Sequence, residues 1–216
     1  MLICCSCHGQ NNKNNTQTSN ANNDSIFIKK GYINYHSQYH FSFFYSKAWL
    51  KLPEDYFRKA IENSYSKPDP KIYSEVGFTL DNDKKEYIFP KFHIEVALDA
   101  PPTLKVLKQQ IGVYLDSQYM VKNKNENFSR ELVEKLSIRS FNKPTIDEEK
   151  KIVYMATIMN LQGQGELYTL SVTFLGKETM VSMKIFLPNK DKDNYLKDFY
   201  EMISSFHFDQ GFEYKN

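Results

Sequence analysis

The sequence predicts an α+β fold in which helices pack against an antiparallel sheet. Three long apolar segments between residues 151 and 188 are separated only by short connections that contain glycine, which is typical of consecutive antiparallel strands. The next segment, residues 191–206, repeats apolar side chains at helical spacing and needs a sheet to lie on. Aromatic residues make up 15% of the 216 residues, and aromatic side chains favour strands.

The folded body is expected to begin near Ser25 with a β-hairpin. Alternation places Tyr39, Phe41 and Phe43 on one face and His40, Ser42 and Phe44 on the other, and residues 36–38 (HSQ) can form the turn. A helix should follow from Pro53, because acidic residues occupy its first turn and apolar residues recur every three to five positions. The sequence KPDP from Lys67 ends this helix.

Two strands and a longer helix are predicted in the middle of the chain. Residues 75–80 (EVGFTL) and 91–98 (KFHIEVAL) are the strands, joined by the charged sequence DNDKKEY. Alternation along the second strand places Phe92, Ile94 and Val96 on one face. The helix follows Thr103, a typical N-cap residue, and its apolar stripe extends to Met120; the polar residues 123–129 should form a loop.

The first 24 residues differ in composition from the rest of the chain. Residues 11–23 include seven Asn and no large apolar side chain, so we expect residues 1–24 to be a disordered tether and residues 25–216 to be a single domain. All three cysteines lie before the Asn-rich stretch. Leu2 lies three positions before Cys5, which resembles the lipobox of bacterial lipoproteins. That resemblance implies a lipid on Cys5, or on Cys7.

Other interpretations of this segment stay open. An export signal has a positive region and an apolar stretch of about 7–15 residues, so the lipoprotein interpretation expects coding sequence upstream of Met1. Otherwise the segment is a leader with incidental cysteines. A metal site at Cys4, Cys5, Cys7 and His8 would need four ligands within five residues to surround one ion. We therefore predict no metal site there.

No sequence motif predicts catalysis or a bound cofactor. The motifs G-x-S-x-G and H-E-x-x-H, the P-loop, and G-x-G-x-x-G before a helix are all absent. His93 and Glu95 should share one face of a strand, but the pair has no evident nucleophile. His36 and His40 also have no carboxylate near them in sequence. We therefore predict that the chain is not an enzyme, with no catalytic residue, metal or cofactor.

Charge argues against nucleic acid as a partner, and hydropathy argues against a membrane-spanning segment. The 28 Lys and Arg residues nearly balance the 26 Asp and Glu residues, so no strong positive field favours nucleic acid. No run of 18 apolar residues occurs that could cross a bilayer. We expect a monomer.

The order of elements, together with two short sequences, resembles the PsbP-like and DcrB-like superfamily. The sequence YSKAW from Tyr45 to Trp49 is similar to a P-x-G-W stretch of these proteins, with Ser46 in place of Pro and Ala48 in place of Gly. The sequence ISSF at residues 203–206 is similar to their closing I-x-S-F. The resemblance covers residues 27–210 and implies an α/β/α sandwich with a central antiparallel sheet and helices on both faces.

The same resemblance implies a function. Members are bacterial lipoproteins, photosystem accessory subunits, Ran-binding factors and secretion adaptors, which mostly bind other macromolecules. We therefore predict a non-catalytic binding protein of the bacterial cell envelope, secreted or tethered to the membrane through an N-terminal lipid, with a protein partner. Trp49 and Tyr45 form the predicted partner groove, and core packing of Trp49 is the alternative. The alternative function is a soluble cytoplasmic adaptor or chaperone for an exported client.

Overall fold

The computed structural model describes residues 25–28, 30–53, 56, 71–80, 90–114, 136–141, 144–161 and 165–215. The described strands are β1 (Ile33–Ser37), β2 (Phe41–Tyr45), β3 (Trp49–Lys51), β4 (Ile72–Leu80), β5 (Lys91–Ala97), β6 (Leu136–Phe141), β7 (Thr145–Asp147), β8 (Ile152–Leu161), β9 (Gly165–Leu175), β10 (Met180–Pro188) and β11 (His207–Phe208). The helices with named bounds are α1 (Leu104–Tyr114), the 3-10 turn Asn189–Asp191 and α2 (Asp193–Ser205). Residues 25–28 form one further helical turn.

Eight of these strands form one antiparallel sheet. Their order is β3-β4-β5-β10-β9-β8-β6, and β7 also pairs with β8. Strands β8, β9 and β10 are consecutive neighbours, so the predicted three-strand meander is confirmed. The predicted strands β4 and β5 are confirmed as an antiparallel pair.

The two faces of the large sheet differ in chemistry. Its apolar face carries side chains that are all 0% exposed: Phe78, Phe92, Ile94, Val96, Val172, Val181, Met183 and Ile185. Burying one such side chain stabilises the fold by about 1.5–3 kcal/mol. Its polar face carries Ser74, Lys91, His93, Glu95, Ser171, Thr173, Ser182 and Lys184. The predicted shared face of Phe92, Ile94 and Val96 is confirmed.

A second, three-stranded sheet with the order β1-β2-β11 lies against the apolar face. The predicted hairpin is confirmed as β1–β2, but its turn is at residues 38–40 because Ser37 pairs with Phe41. His40 adopts the left-handed conformation there, with φ 63°. The sequence pattern predicted the hairpin but no separate sheet.

The small sheet is covered on both sides. The Phe43 ring lies edge-on against Phe78 and Phe92, at centroid distances of 6.3 and 6.1 Å. On the other side, Phe44 stacks on Phe27 of the first helical turn at 5.4 Å. Consecutive residues of β2 are therefore buried, and the predicted alternation does not separate an inner from an outer face.

The closing helix is confirmed, and it packs beside the small sheet on the apolar face. Phe199, Met202 and Ile203 of α2 are buried, and the Phe199 ring lies 6.1 Å from the Phe92 ring. The helix ends at Ser205, because Phe206 has extended backbone angles (φ −67°, ψ 135°).

The middle helix is confirmed as far as Tyr114. Thr103 caps it, since its hydroxyl accepts a hydrogen bond from the Val106 N–H at 3.4 Å. Most of the helix predicted from Pro53, the end of the middle helix, the loop at 123–129 and the leader lie outside the described residues. A helix on the polar face of the sheet stays a prediction.

Candidate functional site

A cavity of about 630 Å³ lies where α2, the ends of β8 and β9, β11 and the last described residues meet. This volume is within the range of about 300–1,000 Å³ that is typical of ligand sites. Six aromatic side chains line it: Tyr154, Phe174, Tyr200, Phe206, Phe208 and Tyr214. The charged or titratable side chains in the lining are Lys150, Lys151, His207 and Glu213. The cavity therefore combines an aromatic wall with more cationic than anionic groups.

Close packing at the end of β9 builds the aromatic wall. Phe206 stacks on Phe174 at 3.7 Å, and Phe208 lies edge-on to Phe206 at 5.1 Å. Gly176 permits this arrangement, because a Cβ at this position would lie 2.8 Å from the Phe208 ring. The wall therefore depends on a residue without a side chain at position 176.

The two lysines belong to the turn between β7 and β8. The Lys150 N–H donates to the Asp147 carboxylate at 2.9 Å, and Lys151 has a left-handed φ of 58°. The Leu175 N–H donates to the Lys151 carbonyl at 3.0 Å, which fastens the turn to the end of β9. Opposite them, the Glu213 carboxylate accepts the Gly211 N–H at 2.7 Å. Both lysines line the cavity, and the Lys150 ammonium lies 3.9 Å from the Asp147 carboxylate.

Two tyrosine hydroxyls provide neutral hydrogen-bonding groups in the cavity. Burial raises the pKa of Tyr154, and the nearby Asp147 carboxylate and Tyr200 raise it further. Tyr200 is 50% exposed on α2. At neutral pH the Tyr154 hydroxyl keeps its proton and can donate a hydrogen bond to a carboxylate or carbonyl oxygen.

A cluster of four side chains occupies the polar face of the large sheet. Ser74 Oγ lies 2.7 Å from His93 Nε2, and His93 Nδ1 lies 3.5 Å from Glu95 Oε1. Glu95 also forms an ion pair with Lys184, which is paired with His93 across β5 and β10. A β-bulge between Ser74 and Val76 displaces the register of β4 at this point.

The imidazole in this cluster is neutral at physiological pH. Burial lowers the pKa of His93 to about 4, although the Glu95 carboxylate acts in the opposite direction. A neutral ring has one donor and one acceptor nitrogen. With the proton on Nδ1, which faces the Glu95 carboxylate, Nε2 can accept the Ser74 hydroxyl hydrogen.

Part of this cluster, the shared face of His93 and Glu95, was predicted from the sequence. His93 and Glu95 do share a face, and the structure adds a serine hydroxyl, that of Ser74, which the sequence did not indicate. Ser74 is 19 residues from His93 in the chain. Only the pairing of β4 with β5, including its bulge, brings the two side chains together.

The predicted partner residues belong to different sheets: Tyr45 ends β2 of the small sheet, and Trp49 begins β3 at the edge of the large sheet. Trp49 is 2% exposed, and its ring lies edge-on to Phe92 at 5.7 Å, so its side chain belongs to the core. Tyr45 is half-buried and lies 4.6 Å from the Phe78 ring. A role for Trp49 and Tyr45 in partner binding stays a prediction, and the predicted lipidation sites Cys5 and Cys7 lie outside the described residues.

In the folded chain, a carboxylate lies near two histidines that have none close to them in the sequence. His36 Nε2 and His40 Nδ1 lie 3.9 and 3.6 Å from the same Asp209 oxygen. Asp209 follows β11, which pairs with β2. Within the part of the chain that the structure describes, no group of three or more His, Cys, Asp or Glu side chains has the arrangement of a metal site.

Comparisons with known proteins give similarity at the level of the fold. No protein-family model matches the chain, and no curated protein matches it. The solution structure of cyanobacterial PsbP (CyanoP) from Synechocystis sp. PCC 6803 is similar over 82% of this chain and 92% of that chain, with 13% identity and a TM-score of 0.47.

A crystal structure from Bacteroides thetaiotaomicron VPI-5482 is also similar. It matches 82% of this chain with 9% identity and a TM-score of 0.41, and this chain spans 48% of its length. At these values no functional property is transferred from either protein. Among the described residues, no helix is both long enough and apolar enough to cross a membrane.

Proposed function

We propose that this chain is an accessory binding protein of the bacterial cell envelope, which holds a protein partner in the cavity beside α2. The observation that carries the proposal is the aromatic wall of this 630 Å³ cavity, flanked by Lys150 and Lys151. Aromatic side chains provide large contact areas, and binding sites are concave and mostly apolar with a few polar groups.

The charges of the cavity indicate the partner's chemistry. Lys150 and Lys151 line the cavity, and of the two only Lys150 forms an ion pair within the described part of the chain, with Asp147 at 3.9 Å. The Glu213 carboxylate in the lining already accepts a backbone hydrogen bond. An acidic side chain of the partner would pair with the lysines while its apolar neighbours contact the aromatic wall. The partner segment is therefore acidic and contains at least one aromatic or aliphatic residue.

The N-terminal sequence supports a membrane tether. Leu2 and Cys5 have lipobox spacing, and the Asn-rich stretch after them separates the lipid from the domain. A flexible chain of about 20 residues has a root-mean-square length of a few tens of Å. The domain would reach partners close to the bilayer surface.

Intact mass spectrometry tests the tether. The full-length protein, expressed with its native upstream sequence, is separated into membrane and soluble fractions. We expect a membrane-bound chain that begins at Cys5 and carries a diacylglycerol mass, and Cys5→Ala should abolish both. Cys7→Ala is the matched control and should keep the lipid. A soluble, unmodified chain starting at Met1 would contradict the tether and favour a cytoplasmic adaptor.

Site-specific crosslinking tests the cavity as the partner site. A photo-crosslinking amino acid replaces Tyr200 in the cavity or, as a control, Tyr73, which is 43% exposed on β4. The partner identified at position 200 is then purified, and its affinity is measured for Lys151→Glu and for the control Lys190→Glu. We expect at least about tenfold weaker binding for Lys151→Glu alone, equivalent to about 1.4 kcal/mol. Equal affinity for both variants would contradict the site.

A further inference from the structure

We propose that Ser74 is an activated serine that accepts an acyl group from an ester, with His93 as its general base and Glu95 as the residue that positions the base. The order of contacts, Ser74 Oγ to His93 Nε2 and His93 Nδ1 to Glu95, is the order that nucleophilic serine chemistry requires. This reactivity is separate from the proposed binding function, because the cluster lies on the polar face of the large sheet and the cavity adjoins the apolar face.

The distances allow direct proton transfer. The 2.7 Å separation between Ser74 Oγ and His93 Nε2 is within the hydrogen-bonding range of about 2.6–3.2 Å that a general base needs. The imidazole is neutral at physiological pH and can take up the serine proton. The Glu95 carboxylate lies beside Nδ1, where it favours the imidazolium that forms, and Lys184 holds that carboxylate through an ion pair. Burial and the ammonium groups of Lys184 and Lys91 act in the opposite direction and keep the resting ring neutral.

The serine of the cluster is partly accessible to solvent, whereas the histidine is buried. His93 is 6% exposed, whereas Ser74 is half-buried. Ile72 lies two residues earlier on the same strand, on the same side of the sheet, and is 44% exposed. An apolar acyl chain could lie on Ile72 with its carbonyl carbon at Ser74. A β-bulge follows Ser74, and bulges occur frequently beside active sites, where they redirect side chains.

Acylation of Ser74 requires only the ester and the side chains of this cluster. Ser74 Oγ attacks the ester carbonyl carbon and its proton passes to His93 Nε2. The bond between the carbonyl carbon and the alcohol oxygen then breaks, and the alcohol leaves with the proton from His93. In a second step, water attacks the carbonyl carbon of the acyl-serine and gives a proton to His93. The bond between that carbon and Ser74 Oγ then breaks, Ser74 takes the proton from His93, and the carboxylic acid leaves.

A fluorophosphonate probe tests the proposal on the full-length chain. This reagent phosphonylates activated serines, with loss of fluoride, and intact mass and peptide mapping locate the product. We expect one adduct, on Ser74, that is absent from Ser74→Ala. Ser182→Ala is the matched control and should be labelled normally, because its hydroxyl pairs with Thr173 on the same face at 2.8 Å. Incubation with a short-chain aryl ester should add one acyl group at the same serine.

The role of the base is measured separately. His93→Gln should slow labelling by about 10²–10⁴-fold, with an unchanged circular dichroism spectrum as the check on folding. Glu95→Gln should slow it and shift the pH profile of the labelling rate, which a residue with a purely structural role would leave unshifted. No adduct on the wild-type chain, an adduct on another residue, or a normal rate for folded His93→Gln would overturn the proposal.

Discussion

The hydroxyl of Ser205 accepts a hydrogen bond from the Phe44 N–H at 2.9 Å and so joins the last residue of α2 to strand β2. Ser205 is 7% exposed and Phe44 is 2% exposed, so water does not replace this bond. The same hydroxyl donates to the Met202 carbonyl at 2.8 Å, one turn earlier in the helix. The serine of the closing I-x-S-F sequence thereby connects the helix to the small sheet.

Ser205→Ala should lower the free energy of unfolding by about 1–3 kcal/mol, because the buried Phe44 N–H loses its acceptor. Ser204→Ala is the neighbouring control; its exposed hydroxyl donates only to the Glu201 carbonyl, and its effect should stay within about 0.5 kcal/mol. Urea denaturation followed by Trp49 fluorescence measures both. Equal effects of the two variants would show that the Ser205–Phe44 bond adds no stability.

Acid should destabilise the protein through His93. Burial lowers the pKa of His93 to about 4, against 6.5 for a free side chain, so protons bind the unfolded chain more tightly. The contribution of His93 to the free energy of unfolding is fully present above about pH 6.5. It is lost as the pH falls towards 4, which lowers the free energy of unfolding by up to about 3 kcal/mol. Urea denaturation across this range should show a shallower pH dependence for His93→Gln.

Trp49 should report a buried environment. It is the one tryptophan of the chain and is 2% exposed. We expect blue-shifted fluorescence and weak quenching by acrylamide in the native protein, with both properties lost in urea. Emission typical of water, with strong quenching, would instead place Trp49 at an open groove.

Gly176→Ala should destabilise the wall of the cavity. Its Cβ would lie 2.8 Å from the Phe208 ring and 2.9 Å from the Thr179 hydroxyl, so the ring has to move, at a cost of about 1–3 kcal/mol. Phe208→Leu in the same chain should recover part of this loss, since leucine is smaller. A double-mutant cycle in urea measures the coupling, and additive effects would contradict a clash between these two residues.

Local sequence patterns predicted the elements whose residues repeat with a clear period. Alternation along β5 placed Phe92, Ile94 and Val96 in the core, and helical spacing predicted the buried face of α2. Such patterns record which side of one element is buried. They failed for β2, whose consecutive residues are buried because the large sheet lies on one side of it and the first helical turn on the other.

The candidate sites were predictable only in part, for the same reason. The sequence indicated that His93 and Glu95 share a face, and it indicated Cys5 as a lipid acceptor. It gave no sign of Ser74 beside His93 or of Asp209 beside His36 and His40, because these neighbours are contributed by other strands or by residues far along the chain.

By itself, then, the sequence determined the strand-rich class, the meander, the closing helix and the division of β5 into an apolar and a polar side. Only the tertiary structure decided the second sheet, the cavity beside α2 and the contact between Ser74 and His93. Periodicity depends on neighbours within one element, whereas a site depends on strand register and on which elements pack together. A shift of β4 by one residue along β5 would turn Ser74 to the other face of the sheet.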